Sequence, residues 1–223
     1  MSNFYPVICS DSLDQVVSQV ELAKRLPGVE VIQIDITDGL LVEAPTIILE
    51  DLLSIDFAEL KIDIHFMTQE PIDDVYNLID FCSNLPVRSV VSQIERMSDQ
   101  SAYVELVDSQ GWKAGLSLMI FTPLTELELS DSKVEIIQLL GSEGGQQGLS
   151  LNQMIFQKIK DCRQLVSDYG LTVELMIDSG VKMFNAKQLL SAGADSLVVG
   201  SELWNAKHPK EVNNFFQQLE SKP

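Results

Sequence analysis

The stretch VIQIDITDG, from Val31 to Gly39, contains the pattern that recurs along the whole chain. Its Val and Ile content favours a β-strand. Successive side chains of a strand point to opposite faces, so Gln33 and Asp35 lie on the same face. An amide and a carboxylate directed together into an interior indicate a functional site at the end of this strand.

Short apolar runs of this kind alternate with longer amphipathic stretches from one end of the chain to the other. Several of the runs carry Val and Ile on both faces, as expected for a parallel sheet covered by helices. The strand candidates are FYPVIC, EVIQIDI, ELKIDIHF, RSVVSQIE, WKAGLSLMI, VEIIQLL, TVELMID and SLVVG.

The stretches between the strand candidates are predicted to be helical. They cover 11–26, 46–54, 71–82, 98–110, a short piece near 123–129, 150–168, 182–192 and 208–220. Eight βα units predict a single (β/α)8 barrel, a TIM barrel, over residues 1–223. A doubly wound open sheet is the alternative, although no GxGxxG follows the first strand.

The charge and cysteine content restrict the possible partners. A formal charge of −18 speaks against nucleic acid or an anionic membrane as a partner, so an anionic ligand must be held by a local device. Cys9, Cys82 and Cys162 are odd in number and far apart, which fits no disulfide framework. Without a basic leader or a run of about 18 apolar residues, the chain is expected to be cytoplasmic.

Polar residues mark the ends of five strand candidates, and in a barrel the active site lies at the C-terminal ends of the strands. Single polar residues of this kind are commonly hydrogen-bonded core groups, but five ends at inward spacing predict a shared site. They are Gln33 and Asp35, Asp63 and His65, Gln93 and Glu95, Asp178, and Gly200 with Ser201.

Six motifs in order make the chain resemble the ribulose-phosphate 3-epimerase family, whose members are small (β/α)8 enzymes of pentose phosphate metabolism. The family's IHVDVMDGxFVP, DVHLMxxxP and TPLE motifs correspond to IQIDITDGLLVEAP, DIHFMTQEP and TPLTEL. Its PGFGGQ, VDGGV and AGADxxVxGSAIF motifs correspond to GSEGGQQG, IDSGV and AGADSLVVGSELW. The likeness covers nearly the whole chain.

The resemblance implies a reaction and the residues that perform it. The family moves the C3 proton of a ketopentose 5-phosphate from one face to the other through an enediolate, using two aspartates as base and acid. The matching positions are Asp35 and Asp178. The family also implies a homo-oligomer and a small-molecule ketose phosphate as substrate.

A divalent metal ion is implied as cofactor, held in the family by two histidines and the same two aspartates. Here the expected ligands are Gln33, Asp35, His65 and Asp178, with Gln33 in place of one histidine. The ion could be Zn, Mn, Mg or Fe, but an amide oxygen favours harder ions than an imidazole does, so Mg²⁺ or Mn²⁺ gains over zinc. A lost metal site is the alternative.

The phosphate of the substrate is expected to lie on glycine-rich loops, whose backbone N–H groups can approach an anion closely. Ser179 replaces a family glycine there. The matching phosphate-binding positions are Gly144, Gly145, Gly180, Gly200 and Ser201.

Other positions depart from the family's pattern and leave the function open. Val7, Thr37 and Gln93 replace a serine, a methionine and a histidine, whereas Ser10 and Met67 are retained and are expected in the substrate pocket. We therefore keep three hypotheses: an active epimerase, a degenerate phosphosugar-binding barrel, and a lyase of the hexulose-phosphate synthase type. The lyase group carries DxKxxD where this chain has DIHFMT, which argues against it.

Overall fold

A computed structural model describes residues 3–129, 133–142 and 150–219 of the chain, and its strands close into a barrel. Every neighbouring pair is parallel, and β8 returns to pair with β1. The prediction of a (β/α)8 barrel is therefore confirmed, and the open sheet is excluded. The strands are β1 (Asn3–Ile8), β2 (Val31–Thr37), β3 (Lys61–Met67), β4 (Val87–Gln93), β5 (Lys113–Leu118), β6 (Ile136–Leu140), β7 (Glu174–Asp178) and β8 (Ser196–Val199).

Helices follow most strands and cover the outside of the barrel. The α-helices are α1 (Leu13–Ala23), α2 (Pro71–Phe81), α3 (Gln100–Ser109), α4 (Ile155–Asp168), α5 (Met183–Ala192), α6 (Ser201–Trp204) and α7 (Pro209–Gln217). Short 3₁₀ helices occupy Leu49–Ser54, Ile94–Arg96 and Leu124–Glu126.

Two of the predicted helical segments are 3₁₀ rather than α-helical. They are the stretches near 46–54 and 123–129, where the structure has Leu49–Ser54 and Leu124–Glu126. Both lie in connections between strands, where short 3₁₀ turns are common. The sequence prediction also missed α6, which begins at Ser201 directly after β8.

The apolar side chains form two cores on opposite faces of the strands. The larger one lies between the barrel and its helices. The smaller one fills the barrel interior and consists of Tyr5, Val7, Val91, Ile136, Met176 and Val198. These six side chains fill the barrel below the polar strand ends. They form the floor of the site that the strand ends surround.

An ion pair between a buried carboxylate and a partly buried guanidinium lies on the opposite side of that floor. Arg88 donates to both carboxylate oxygens of Asp63, at 2.8 Å from Nε to Oδ1, and its NH1 donates to the Tyr5 hydroxyl at 3.0 Å. Asp63 was grouped with the strand-end residues in the sequence, but it lies two residues before His65 and is neutralised by Arg88. Its role in the structure is to seal the barrel.

Within the three described ranges, no helix is both long enough and apolar enough to cross a bilayer.

Candidate active site

Four side chains meet where β2, β3 and β7 end. Asp35 pairs in register with His65 on the neighbouring strand, and Asp178 is the last residue of β7. One ligand atom from each of Asp35, His65 and Asp178 lies within 4.8 Å of the other two. Gln33 stands among them, so the structure brings together the four residues that the sequence singled out.

The amide nitrogen of Gln33 connects the two carboxylates. It donates to Asp35 Oδ1 at 2.8 Å and to Asp178 Oδ2 at 2.8 Å, and it lies 3.4 Å from His65 Nδ1. Gln33 and Asp35 thus point inward together, and the amide of Gln33 holds the two carboxylates side by side.

Gln138 of β6 is a fifth member of the site, which the sequence analysis did not identify. Its Nε2 donates to Asp178 Oδ2 at 3.0 Å and lies 3.2 Å from His65 Nδ1, and the residue is fully buried. The one available signal was a single polar residue within the apolar run IIQLL. Asp178 Oδ2 thus accepts from two amides, those of Gln33 and Gln138.

His65 is held from behind by Gln93 and Glu95. In the amide orientation that satisfies its neighbours, Gln93 accepts from His65 Nε2 through Oε1 at 3.3 Å and donates to Glu95 Oε2 at 2.7 Å. Glu95 Oε1 in turn accepts from the backbone N–H of Met119 at 2.7 Å. These contacts favour the tautomer with the imidazole proton on Nε2. In that tautomer the lone pair of Nδ1 faces the carboxylates, 3.2 Å from Asp35 Oδ1, where a cation would be shared between the two atoms.

The carboxyl group of Asp178 differs in pKa from an ordinary carboxyl group on the surface. Burial, and after it the charge of Asp35, raises the pKa of Asp178 to about 7. Like charges held close together in a buried site favour one shared proton. At neutral pH and in the absence of a cation, the pair can therefore hold one acid and one base.

Cys9 lies beside this pair, just after β1. Burial, followed by the charges of Asp35 and Asp178, raises the pKa of its thiol above the ordinary value. A thiol that stays protonated is a poor nucleophile, so Cys9 is not a candidate for nucleophilic catalysis.

The donor set fits a divalent cation. Two carboxylate oxygens and an imidazole nitrogen with a fixed tautomer are a suitable ligand set. The Gln33 atom that faces the carboxylates is the nitrogen, whereas its Oε1 is buried and, within the described ranges, has no hydrogen-bond partner. Rotating the amide by half a turn would bring Oε1 to the carboxylates, an arrangement that becomes favourable when a cation lies between them.

Three of the residues expected to bind phosphate, Gly180, Gly200 and Ser201, follow the ends of β7 and β8. Ser179 and Gly180 have φ values of 67° and 75°, and a Cβ at Gly180 would lie 2.9 Å from the backbone of Leu151. Glycine is thus required at 180, while Ser179 adopts a left-handed conformation at a cost of about 1 kcal/mol. Gly200 and Ser201 follow β8. Gly144 and Gly145 lie outside the described residues.

The two expected pocket residues have different surroundings. Met67 is buried at the end of β3, next to Thr37 in register. Ser10 is half-buried, with its hydroxyl oxygen accepting from the backbone N–H of Ser12 at 3.1 Å and its hydroxyl hydrogen donated to Gln15 Oε1 at 3.0 Å. These contacts tie Ser10 to the start of α1.

Comparison with known proteins shows the family to which the chain belongs. The profile of the ribulose-phosphate 3 epimerase family matches residues 5–204. A ribulose-phosphate 3-epimerase of Buchnera aphidicola subsp. Baizongia pistaciae is 31% identical over 80% of this chain and 78% of its own length. The chloroplastic ribulose-5-phosphate-3-epimerase of Arabidopsis thaliana is 30% identical over 93% and 73%, and the Escherichia coli K12 ribulose-phosphate 3-epimerase is 28% identical over 86% and 85%.

Solved structures share the fold at low sequence identity. A mutant tryptophan synthase alpha-subunit from Pyrococcus furiosus superposes with a TM-score of 0.69 at 16% identity, covering 98% of this chain and 97% of that one. Phosphoribosyl anthranilate isomerase from Thermus thermophilus gives 0.64 at 10% identity, covering 98% and 100%. These likenesses concern the barrel alone.

Fold, site and relatives together define a (β/α)8 barrel enzyme of the isomerase class. The chain belongs to the ribulose-phosphate 3-epimerase family, and this membership supports epimerase activity on a small phosphosugar.

Proposed function

We propose that this protein interconverts D-ribulose 5-phosphate and D-xylulose 5-phosphate by proton transfer at C3. The observation that carries the proposal is the pair Asp35 and Asp178, joined through Gln33 Nε2 at 2.8 Å to each carboxylate. Two carboxylates held this way can flank one carbon of a substrate that enters from the mouth of the barrel. The nearby glycines would direct the phosphate away from the reacting carbon.

The proposed reaction requires one carboxylate and one carboxylic acid. The carboxylate takes the proton from C3, and the electrons of the C–H bond form the C2–C3 double bond while the carbonyl oxygen becomes an enediolate oxygen. The acid then delivers its proton to the opposite face of C3, where the electrons of the C2–C3 double bond form the new C–H bond, and a lone pair of the enediolate oxygen re-forms the carbonyl at C2. The roles of Asp35 and Asp178 are exchanged after each turnover, which restores the pair in the reverse direction.

The glutamine amides would keep the two carboxyl groups in this arrangement. Gln33 and Gln138 both donate to Asp178 Oδ2, at 2.8 and 3.0 Å. Hydrogen bonds to the charged form favour that form, which offsets part of the effect of burial on Asp178. The inward N–H groups are also suitable donors to a developing enediolate oxygen.

A divalent cation would be held by Asp35, His65, Asp178 and, after rotation of its amide, the Oε1 of Gln33. When bound, it supplies positive charge that stabilises the enediolate oxygen. With three oxygen ligands and one nitrogen, the set favours Mn²⁺ or Mg²⁺ over Zn²⁺ or Fe²⁺ among the ions considered.

The rest of the substrate would be held by the loops and side chains around the two carboxylates. The phosphate would bind at Gly144, Gly145, Gly180, Gly200 and Ser201, with Ser10 and Met67 beside the sugar.

We also propose a single domain over residues 1–223, a homo-oligomer, and a role in the pentose phosphate pathway of the cytoplasm. The three cysteines, which form no disulfide, are consistent with a reducing compartment.

A phosphosugar-binding barrel with little catalysis is the second candidate. The Gln33 amide satisfies both carboxylates without an ion, and Thr37, in place of the family's methionine, donates its hydroxyl to Ala44 O at 2.5 Å. Such a site could bind a sugar phosphate and yet lack the positive charge needed for the enediolate.

Metal analysis of the purified protein, followed by NMR of ribulose 5-phosphate in the presence of added Mg²⁺, Mn²⁺ or Zn²⁺, separates the two candidates. Appearance of xylulose 5-phosphate supports the epimerase. Tight binding of the sugar phosphate without any conversion, under all three ions, would leave the binding barrel as the function.

A further inference from the structure

A lysine lies at the expected phosphate subsite. Lys182, in the loop between β7 and α5, donates from Nζ to Ser201 Oγ at 2.8 Å. The same Nζ is 3.4 Å from Glu202 Oε2. The Lys182 side chain is 23% exposed, so its charged end is within reach of a ligand that approaches from solvent.

The backbone beneath this lysine is fixed. The N–H of Lys182 donates to Asn185 Oδ1 at 2.8 Å, and Asn185 Nδ2 donates to Gly180 O at 2.9 Å. Asn185 is buried. The side chain of Lys182 therefore starts from a defined point next to Gly180, and it spans the gap from the end of β7 to the end of β8.

The hydrogen bonds of this group leave donors for a ligand. An ammonium has three N–H donors. One is donated to Ser201 Oγ, and Glu202 Oε2 is an ion-pair neighbour at 3.4 Å. Because Ser201 Oγ accepts from Lys182, its own hydroxyl hydrogen remains to be donated. Glu202 is itself held by the backbone N–H of Met183, which donates to its Oε1 at 3.1 Å, so the carboxylate fixes the ammonium in place.

The negative charge of the protein would repel a phosphate, and the positive charge of Lys182 offsets that repulsion locally. The chain carries a formal charge of −18, and Asp35, Asp178 and Glu202 all lie near this end of the barrel. Backbone N–H groups orient an anion but add no net charge. A dianionic phosphate monoester would therefore meet a repulsive field unless a local cation offset it.

We propose that Lys182 is the charged member of the phosphate subsite and that, with the hydroxyl of Ser201, it makes this site selective for a phosphate monoester over the uncharged sugar. The inference rests on the proposed function, and it adds a side-chain cation to a subsite otherwise built from backbone groups. Lys182 binds the substrate far from C3, so it should govern affinity rather than the chemical step.

Calorimetry with inorganic phosphate as the probe tests this, using the wild type, Lys182→Met, Lys182→Gln and Lys182→Arg. The two neutral variants should lose about tenfold or more in affinity, as expected for a hydrogen bond to a charged group, and should show a weaker dependence on salt. Lys182→Arg should retain most of the binding. Lys187→Met, an exposed residue of α5, is the matched control and should bind as the wild type does.

Kinetics distinguish a failure of this inference from a failure of the proposed function. Lys182→Met should raise KM for ribulose 5-phosphate and leave kcat nearly unchanged. Wild-type affinity in both neutral variants, or an equal loss in Lys187→Met, would overturn the role of Lys182 while leaving the epimerase intact. If the wild type bound ribulose and ribulose 5-phosphate equally and converted neither, both the epimerase function and the role of Lys182 in phosphate binding would be refuted.

Discussion

Gln33 and Asp178 are hydrogen-bonded across the barrel, with 2.8 Å between the amide nitrogen and Oδ2. The same nitrogen reaches Asp35 Oδ1 at 2.8 Å. A neutral donor thus occupies the position between two buried carboxylates where a positive charge would be the strongest partner. This relationship determines how the site responds to metal, to pH and to substitution.

Gln33→His should strengthen metal binding. The new imidazole would complete a set of two histidines and two aspartates and would remove the amide that competes for the carboxylates. We expect zinc affinity to rise by about tenfold or more, a scale on which changes around a metal commonly act. Titration of Zn²⁺ and Mn²⁺ into the chelator-treated wild type, Gln33→His and His65→Ala measures this.

The control is His65→Ala, which should lose affinity for both ions because it removes the nitrogen ligand. Unchanged affinities in both variants would mean that the cluster of Asp35, His65 and Asp178 holds no metal. The binding barrel would then become the better description of the protein.

Asp35→Asn and Asp178→Asn should each stop net epimerisation, with a loss of about 10²- to 10⁴-fold for removal of a proton-transferring group. Each variant should still exchange the C3 proton of one epimer with deuterium from solvent, and the two variants should act on opposite epimers. NMR in D₂O reads both quantities. Asp80→Asn, at an exposed position of α2, is the control and should leave activity unchanged. If both active-site variants exchanged both epimers equally, the assignment of Asp35 and Asp178 to opposite faces of C3 would be wrong.

Much of this site could be predicted because the side chains of a strand alternate strictly. Gln33 and Asp35 had to share a face, and the parallel strands of a closed barrel had to bring their ends to His65 and Asp178. The fold followed from the same alternation of short strands with helices, repeated along the whole chain.

The residues that were missed depend on contacts between distant segments. Gln138 stands alone in an apolar strand, and its inward orientation follows from the register that places it opposite Ser117 and Met176, which no local pattern specifies. Lys182 belongs to a loop and a helix start, and nothing in the sequence tells which neighbouring loop its long side chain reaches. Asp63 shares its face with His65, but only the position of Arg88 reveals that it seals the barrel.

Stability of the metal-free protein should fall as the pH rises. Burial, and after it the charge of Asp35, raises the pKa of Asp178 to about 7, whereas an unfolded aspartate titrates near about 3.9. Between these values the folded state binds a proton that the unfolded state has released, so the free energy of unfolding decreases toward neutral pH. Urea denaturation of chelator-treated protein at about pH 5 and about pH 8 measures the slope. Asp178→Asn should flatten it, and an unaltered slope in that variant would refute the assignment.

Gln138→Met should reduce activity with little loss of stability. The substitution preserves the volume but removes one of the two amides that donate to Asp178 Oδ2, which should lower kcat by about tenfold, as for other residues that orient a reactive group. Gln138 Oε1 has no partner within the described ranges, so little hydrogen bonding is lost elsewhere. Gln100→Met is the matched control, since Gln100 is buried and donates to Glu126 O at 2.7 Å, on α3 away from the site. Equal activity of wild type and Gln138→Met would show that Gln138 does not contribute to catalysis.

The tautomer of neutral His65 should be set by Gln93 and Glu95. Gln93 can accept from His65 Nε2 because its own amide is oriented by donation to Glu95 at 2.7 Å, and Glu95 is anchored by Met119 N and by the Thr122 hydroxyl. Nitrogen-15 NMR of the wild type should therefore find the proton of the neutral imidazole on Nε2. Gln93→Leu removes the acceptor and should populate the other tautomer, in which Nδ1 carries the proton and can no longer bind a cation.

The affinity for Mn²⁺ should then fall by about 10- to 100-fold, the usual effect of losing the partner that orients a ligating histidine. Gln100→Leu, which removes a buried glutamine elsewhere, should change neither the nitrogen shifts nor the affinity. A wild-type imidazole protonated on Nδ1 would contradict the arrangement directly, because that proton would face the carboxylates and exclude His65 from any metal site.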